Sequence, residues 1–254
     1  MTRAAFRPCI DLHDGKVKQI VGGTLQDSGM PATNFVSALP PAHYAELYRR
    51  DGLTGGHVIQ LGKGNDNAAK EALAAWRGGL QIGGGVTAEN AASWLDAGAA
   101  KVIVTSYVFH SGVLDWERLQ KLLEITGKDQ LVLDLSCRKR DGKYYIVTDR
   151  WQTFTEEAVT PALLEKLSGC ASEFLIHAVD VEGKRCGIDR ELLGLLAQYA
   201  PIDCVYAGGI ASWGDIAAIE EAGQGRIHYT VGSALDLFGG TLSYEELVRH
   251  SKGI

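Results

Sequence analysis

Short apolar, β-branched runs alternate along this chain with segments whose apolar residues recur every three or four positions. The runs predict strands near 7–12, 57–61, 80–82, 101–105, 130–135, 173–179, 202–207 and 228–232. Between them, Tyr44, Leu47 and Tyr48 form one helical stripe, opened by Pro40 and Pro41. Trp116, Leu119, Leu122 and Leu123 form another, with Asp115 as N-cap. Thr160-Pro161 opens a helix carrying Leu164 and Leu167, Asp189 one carrying Leu192, Leu193 and Leu196, and Ser212 one carrying Ile216 and Ile219. Ser243 and Glu246 match a capping box at the last helix. Strands alternating with helices in this way predict a parallel sheet. Their nearly continuous apolar interiors predict that both sheet faces are covered.

The pattern also repeats half a chain apart. Cys9-Ile10-Asp11-Leu12 returns as Val132-Leu133-Asp134-Leu135, and Gly83-Gly84-Gly85-Val86 as Ala207-Gly208-Gly209-Ile210. Val104-Thr105-Ser106 returns as Val231-Gly232-Ser233. The offsets are 123, 124 and 127 residues, against a half-length of 127. No Pro/Gly/Ser linker or shift in composition divides the chain. The expected architecture is therefore one α/β domain over residues 1–254, a (β/α)8 TIM barrel made of two similar half-barrels.

One connection is expected to break the rule of short loops. After the fifth strand, Cys137-Arg138-Lys139-Arg140 leads to Asp141-Gly142, a hairpin turn signal, and then to Lys143-Tyr144-Tyr145-Ile146-Val147. A basic hairpin here would lie over the C-terminal mouth of the barrel as a mobile lid, with Trp151 just beyond it.

Asp11 and Asp134 each end an otherwise apolar strand, and residues at that end of a barrel strand face the active site. Strands one and five lie on opposite sides of an eight-strand ring, so the two carboxylates can act on opposite sides of one ligand. Acid–base isomerisation needs such a pair. A bland alternative is that each aspartate caps its following turn or pairs with a lysine such as Lys16. Gly84 and Gly85 with Thr105 and Ser106, and Gly208 and Gly209 with Gly232 and Ser233, form two matched sets of turns with bare amides beside helix starts. Such turns bind phosphate. His177, Asp180 and Glu182 cluster after strand six as further acid or supporting groups. Arg138 and Trp151 are the substrate-loop candidates.

Composition narrows the ligand. The net charge of −6 argues against a broad nucleic-acid footprint. No apolar run approaches the ~20 residues of a membrane helix. Met1 to Arg7 is short and polar and is expected to run into a strand rather than to act as a secretory signal. Five cysteines without a Cys-x-x-Cys pair fit reduced thiols in a cytoplasmic setting. The seven histidines show no metal-ligand spacing, and no metal site is expected.

Taken together, Asp11-Leu12-His13-Asp14-Gly15-Lys16, Gln81-Ile82-Gly83-Gly84-Gly85, Ala207-Gly208-Gly209-Ile210 and Val231-Gly232-Ser233 resemble the phosphoribosylformimino aminoimidazole carboxamide ribotide isomerases of histidine biosynthesis. Gly22-Gly23-Thr24, Leu135-Ser136-Cys137-Arg138-Lys139, Arg150-Trp151-Gln152-Thr153 and Val179-Asp180-Val181-Glu182-Gly183 resemble the eukaryotic-type branch of that family. The resemblance spans essentially the whole chain. It implies a cofactor-independent Amadori rearrangement of a bisphosphorylated ribotide, aminoaldose to aminoketose, with Asp11 as base and Asp134 as acid. Bacterial relatives place an aspartate where Glu182 stands, a threonine at His177 and an arginine at Gln19. The alternatives are the cyclase subunit of imidazole glycerol phosphate synthase, which would need a glutaminase partner, and a flavin-binding barrel. Oligomeric state is open, a monomer included.

Overall fold

In the computed structural model, which describes residues 3–20 and 32–254, each predicted strand forms within three residues of its expected ends. The eight are β1 (Cys9–His13), β2 (Gly56–Gln60), β3 (Leu80–Gly83), β4 (Lys101–Val104), β5 (Leu131–Asp134), β6 (Glu173–His177), β7 (Cys204–Ala207) and β8 (Ile227–Tyr229). Each pairs in parallel with the next in sequence. The ring closes where Phe6 bridges Tyr229: Arg7 N donates to Tyr229 O at 2.8 Å, and Tyr229 N donates to Ala5 O at 3.1 Å. Gly22-Gly23-Thr24 lies outside the described residues.

The helices follow the predicted caps. They are α1 (Pro41–Arg50), α2 (Asp66–Ala75), α3 (Ala88–Ala97), α4 (Trp116–Thr126), α5 (Pro161–Ser168), α6 (Arg190–Tyr199), α7 (Trp213–Gly223) and α8 (Tyr244–Lys252). Asp115 accepts from Arg118 N, Thr160 from Leu163 N, Asp189 from Leu192 N and Ser243 from Glu246 N. Each bond satisfies an amide that the first helical turn leaves without a partner.

Strand alternation then sorts the core. One face of each barrel strand packs outward against the helices, as Leu131 and Leu133 do on β5. The other face fills the barrel with a separate layer of Ile103, Val132, Leu175, Val205 and Ala207, with Ile59 against it. Side chains two apart share a face. Val132 inside the barrel therefore puts Asp134 inside too, at the C-terminal end. At the opposite end the same face of β6 carries Glu173, where Gln81 Nε2 donates to Glu173 Oε1 at 2.7 Å and Arg7 Nη2 lies 3.9 Å from Glu173 Oε2.

Among the described residues three connections, not one, carry extra strands, the shortest being the antiparallel pair Phe109–His110 and Val113–Leu114 between β4 and α4. The expected hairpin forms from Cys137–Arg140 and Lys143–Thr148, but a third antiparallel strand, Thr153–Ala158, extends it. The β1–α1 connection also holds an antiparallel pair, Lys16–Ile20 and Thr33–Val36, the first of which pairs with β1 itself. Asp14 and Gly15 turn that hairpin with φ of 51° and 71°, as Asp141 and Gly142 turn the other with φ of 50° and 76°.

Candidate active site

A cavity of about 930 Å³ opens at the C-terminal end of the barrel. That is the size of a small-molecule site. Asp11 from the middle of β1, Asp134 from the end of β5, His177 from the end of β6 and Glu182 from the loop after β6 all line it. Gly84, Gly85, Thr105 and Ser106 line it on one side, and Gly208 and Gly232 on the other. Gly209 and Ser233 line an adjoining recess with Gly208 and Gly232. Both predicted turn sets thus flank the same space. Gly84 has φ of 89°, and a Cβ there would lie 2.1 Å from Gln60 O; Gly209 has φ of 75°, and its Cβ would lie 2.2 Å from Gly187 O. In both half-barrels the turn is glycine because backbone of the preceding strand–helix unit presses against it.

The two aspartates differ in what holds them. Gln19 Nε2, from the Lys16–Ile20 strand, donates to Asp11 Oδ2 at 2.8 Å. Asp134 Oδ1 accepts from Ser136 N at 2.8 Å and Ser136 Oγ at 2.7 Å, and faces His177 Nδ1 at 3.4 Å. Burial pushes the Asp11 carboxyl above the ordinary carboxylate range, and the Gln19 bond and the charge of His177 offset this only in part. Burial pushes Asp134 the same way, but His177 and the Ser136 donors outweigh it and hold the carboxyl below its ordinary value.

His177 is itself set by its neighbours. Burial alone would discharge it, but Asp134 first, then Glu182 and Asp11, raise it to about 9. It is an imidazolium at neutral pH. His57, whose ring lies 6.4 Å from that of His177, is pushed down to about 3 by burial and by the charge of His177, and is neutral. Glu182 is raised by burial, with Asp11 adding to the shift, and its Oε2 is buried without a hydrogen-bond partner among the described residues. Cys9, Asp11 and His57 offer atoms within 4.8 Å of one another that could hold a metal ion, with the Gln19 amide against both Asp11 and, at 3.8 Å, Cys9 Sγ.

Other candidates fall differently. Asp180 is turned to the hairpin: its carboxylate accepts from Arg138 Nε and Lys139 N, each at 2.9 Å. That pair neutralises Asp180 and Arg138 against each other, and neither lines the cavity, so both leave the set of substrate-facing groups. Lys139 pairs with Glu191 of α6 in the same way. Trp151 does line the cavity, its ring 5.4 Å from that of His177, and Arg150 beside it lines the cavity too. Asp149, Arg150 and Trp151 all have left-handed φ, of 50°, 58° and 65°. Left-handed backbone at non-glycine residues is strained, and such strain clusters at ligand clamps.

Residues 6–242 match the model of a family described as histidine biosynthesis protein. The chain belongs to that family. It is 54% identical, over 96% of its length and 80% of the relative's, to a chloroplastic 1-(5-phosphoribosyl)-5-((5-phosphoribosylamino)methylideneamino)imidazole-4-carboxamide isomerase of Medicago truncatula. Isomerases of the same name from Neurospora crassa and Saccharomyces cerevisiae are 48% and 45% identical, over 94% and 96% of this chain and 94% and 97% of theirs. These relatives are isomerases rather than the cyclase weighed from the sequence.

Within this member of the family, sequence reasoning missed Ser136 and His57 as site residues and saw Gln19 only as a missing arginine. His57 left a trace, a titratable residue on the inward face of an apolar strand. Ser136 follows Asp134 by two positions, the spacing at which a turn amide and hydroxyl return to a carboxylate.

Proposed function

We infer that this protein catalyses the rearrangement its relatives are named for, converting an aminoaldose ribotide with a phosphate at each end into the aminoketose. It needs no cofactor for this. The observation that carries the reading is the meeting of Asp11 and the Asp134–His177 pair in one cavity flanked by the glycine turns of both half-barrels. The glycine turns hold the two phosphates, and Trp151 covers the heterocyclic end of the ligand. Asp11 is the base that removes the proton from ribose carbon two once the ring has opened. A raised carboxyl suits that task, because a stronger base accepts a carbon-bound proton more readily. The acid that opens the ring belongs to the Asp134 side.

The test is direct. Purified protein is incubated with the aminoaldose, and aminoketose formation is followed by chromatography, for the wild type and Asp11→Asn. Conversion by the wild type that falls at least ~100-fold in the variant is expected. A wild type that leaves the aminoaldose unchanged would end the reading. No helix among the described residues is long and apolar enough to cross a membrane. All five cysteines are free. We place the enzyme in a reducing compartment, the cytoplasm, or a plastid as in the Medicago relative.

A further inference from the structure

Asp134 does not stand in the cavity as an isolated acid. One of its oxygens takes two hydrogen bonds from Ser136 and faces a histidine, an arrangement that stabilises the carboxylate and not the protonated carboxyl. We propose that His177 is the catalytic residue that carries the proton to the ribose ring oxygen, and that Asp134 and Ser136 are positioning residues that hold its ring. This rests on the function inferred above.

Hydrogen-bond accounting fixes the ring. The single hydroxyl proton of Ser136 is spent on Asp134 Oδ1, at 2.7 Å, so Ser136 Oγ meets His177 Nδ1, at 3.2 Å, as an acceptor. Nδ1 therefore bears a proton directed at Ser136 and Asp134. His177 lines the cavity, and Nε2 is the ring nitrogen left for a bound molecule. Trp151 packs on the ring from the hairpin side. The charged and titratable groups facing it are Asp134 on β5, Glu182 in the β6 loop, Asp11 on β1 and the neutral His57 on β2. Three carboxyls act on this imidazole, so its charge is a product of the assembled site.

The proton balance closes on these residues and bulk water. His177 gives its Nε2 proton to the ring oxygen, the bond from that oxygen to carbon one breaks towards oxygen, and the exocyclic amine supplies the electron pair that makes the iminium. Asp11 takes the proton from carbon two, whose electrons form the carbon one–carbon two double bond and neutralise the iminium nitrogen. The enol hydroxyl then gives its proton to water while Asp11 protonates carbon one, the neutral His177 takes a proton back from water, and the ketone is released with both groups reset.

The experiment separates ring opening from proton abstraction. The aminoketose product is offered in heavy water, and exchange of its carbon-one hydrogen is followed by NMR alongside net conversion of the aminoaldose. His177→Asn should lower conversion at least ~100-fold. It should keep carbon-one exchange within a few-fold of wild type and keep product affinity in calorimetry. Asp11→Asn should lose both conversion and exchange; loss of conversion with exchange intact would count against the base assignment alone. Asp134→Asn should remain active at low pH, with the alkaline limb of its profile moved to lower pH, because removing the carboxylate lowers the pKa of the imidazole. His177→Gln serves where the asparagine variant fails to fold. Turnover of either His177 variant near the wild-type rate, or Asp134→Asn inactive at every pH, would overturn the proposal. So would loss of exchange together with conversion in a folded, product-binding His177 variant.

Discussion

Asp11 and Asp134 occupy matching places in the two half-barrels, on the first strand of each and facing the cavity, 123 residues apart. Their surroundings have diverged. Asp11 has one neutral amide, from Gln19, and its carboxyl is pushed up by burial. Asp134 is also buried, but two Ser136 donors and a charged His177 hold it down. The repeat supplies two equivalent carboxyls, and their neighbours leave one above the ordinary carboxylate range and hold the other below it, as the proposed roles of base and counter-ion to the acid require. Pushing paired titratable groups apart in this way lets one site both give and take protons near neutral pH.

The largest expected break in that comparison is catalytic. Asp11→Asn keeps the site's shape and removes the base, so turnover should fall at least ~100-fold while calorimetry still detects the bisphosphate product. Turnover within a few-fold of wild type would remove Asp11 from the base role.

Next comes stability, where the two aspartates should respond with opposite sign. The folded-state pKa of Asp11 is raised, so its contribution is full below the unfolded carboxylate value and is lost as pH rises through the raised one. At neutral pH it is a net cost, so Asp11→Asn should be more stable than wild type there. The folded-state pKa of Asp134 is lowered, so its contribution is present above the unfolded value and lost as pH falls through the native one. Asp134→Asn should lose roughly 2 kcal/mol at neutral pH, as charged hydrogen bonds are removed. Urea titrations of both variants at pH 7 and pH 4 check this. Shifts of the same sign at pH 7 would show that the two carboxyls are not held differently.

A smaller effect tests the lid. Trp151→Ala should weaken product binding by about 1 kcal/mol, roughly five-fold, through lost ring contact. Its unfolding midpoint should stay close to wild type, because the residue is not in the core. Unchanged affinity in calorimetry would take Trp151 out of the site. The smallest effect sharpens the Asp11 side alone. Gln19→Leu removes the one amide that stabilises the carboxylate, so the acid limb of the rate profile should move to higher pH. A limb that stays in place would separate Gln19 from the base.

Much of this was legible beforehand, for reasons specific to each element. The barrel strands were readable because burial on both faces makes them apolar throughout, and the helices because Asp115, Thr160, Asp189 and Ser243 announce their starts. The Asp141-Gly142 hairpin was read from its turn. The same signal at Asp14-Gly15 is masked because Lys16–Ile20 is short and charged, although that strand delivers Gln19 to Asp11. Position in sequence suggests Arg138 as a substrate-loop residue and Asp180 as an acid or supporting group, yet each neutralises the other across 42 residues. A preference between partners so far apart is set by which loops meet, and no local pattern records it.

The sequence by itself determined the eight-fold alternation, the half-chain repeat and the two matched aspartates, because periodicity and burial leave marks on residue type. Only the tertiary structure decided which aspartate keeps its proton-accepting strength, which is tied down, and that His177 stands charged between three carboxyls. Those properties come from desolvation and from charges converging on one cavity from β1, β5 and β6. Both are fixed only when the ring closes.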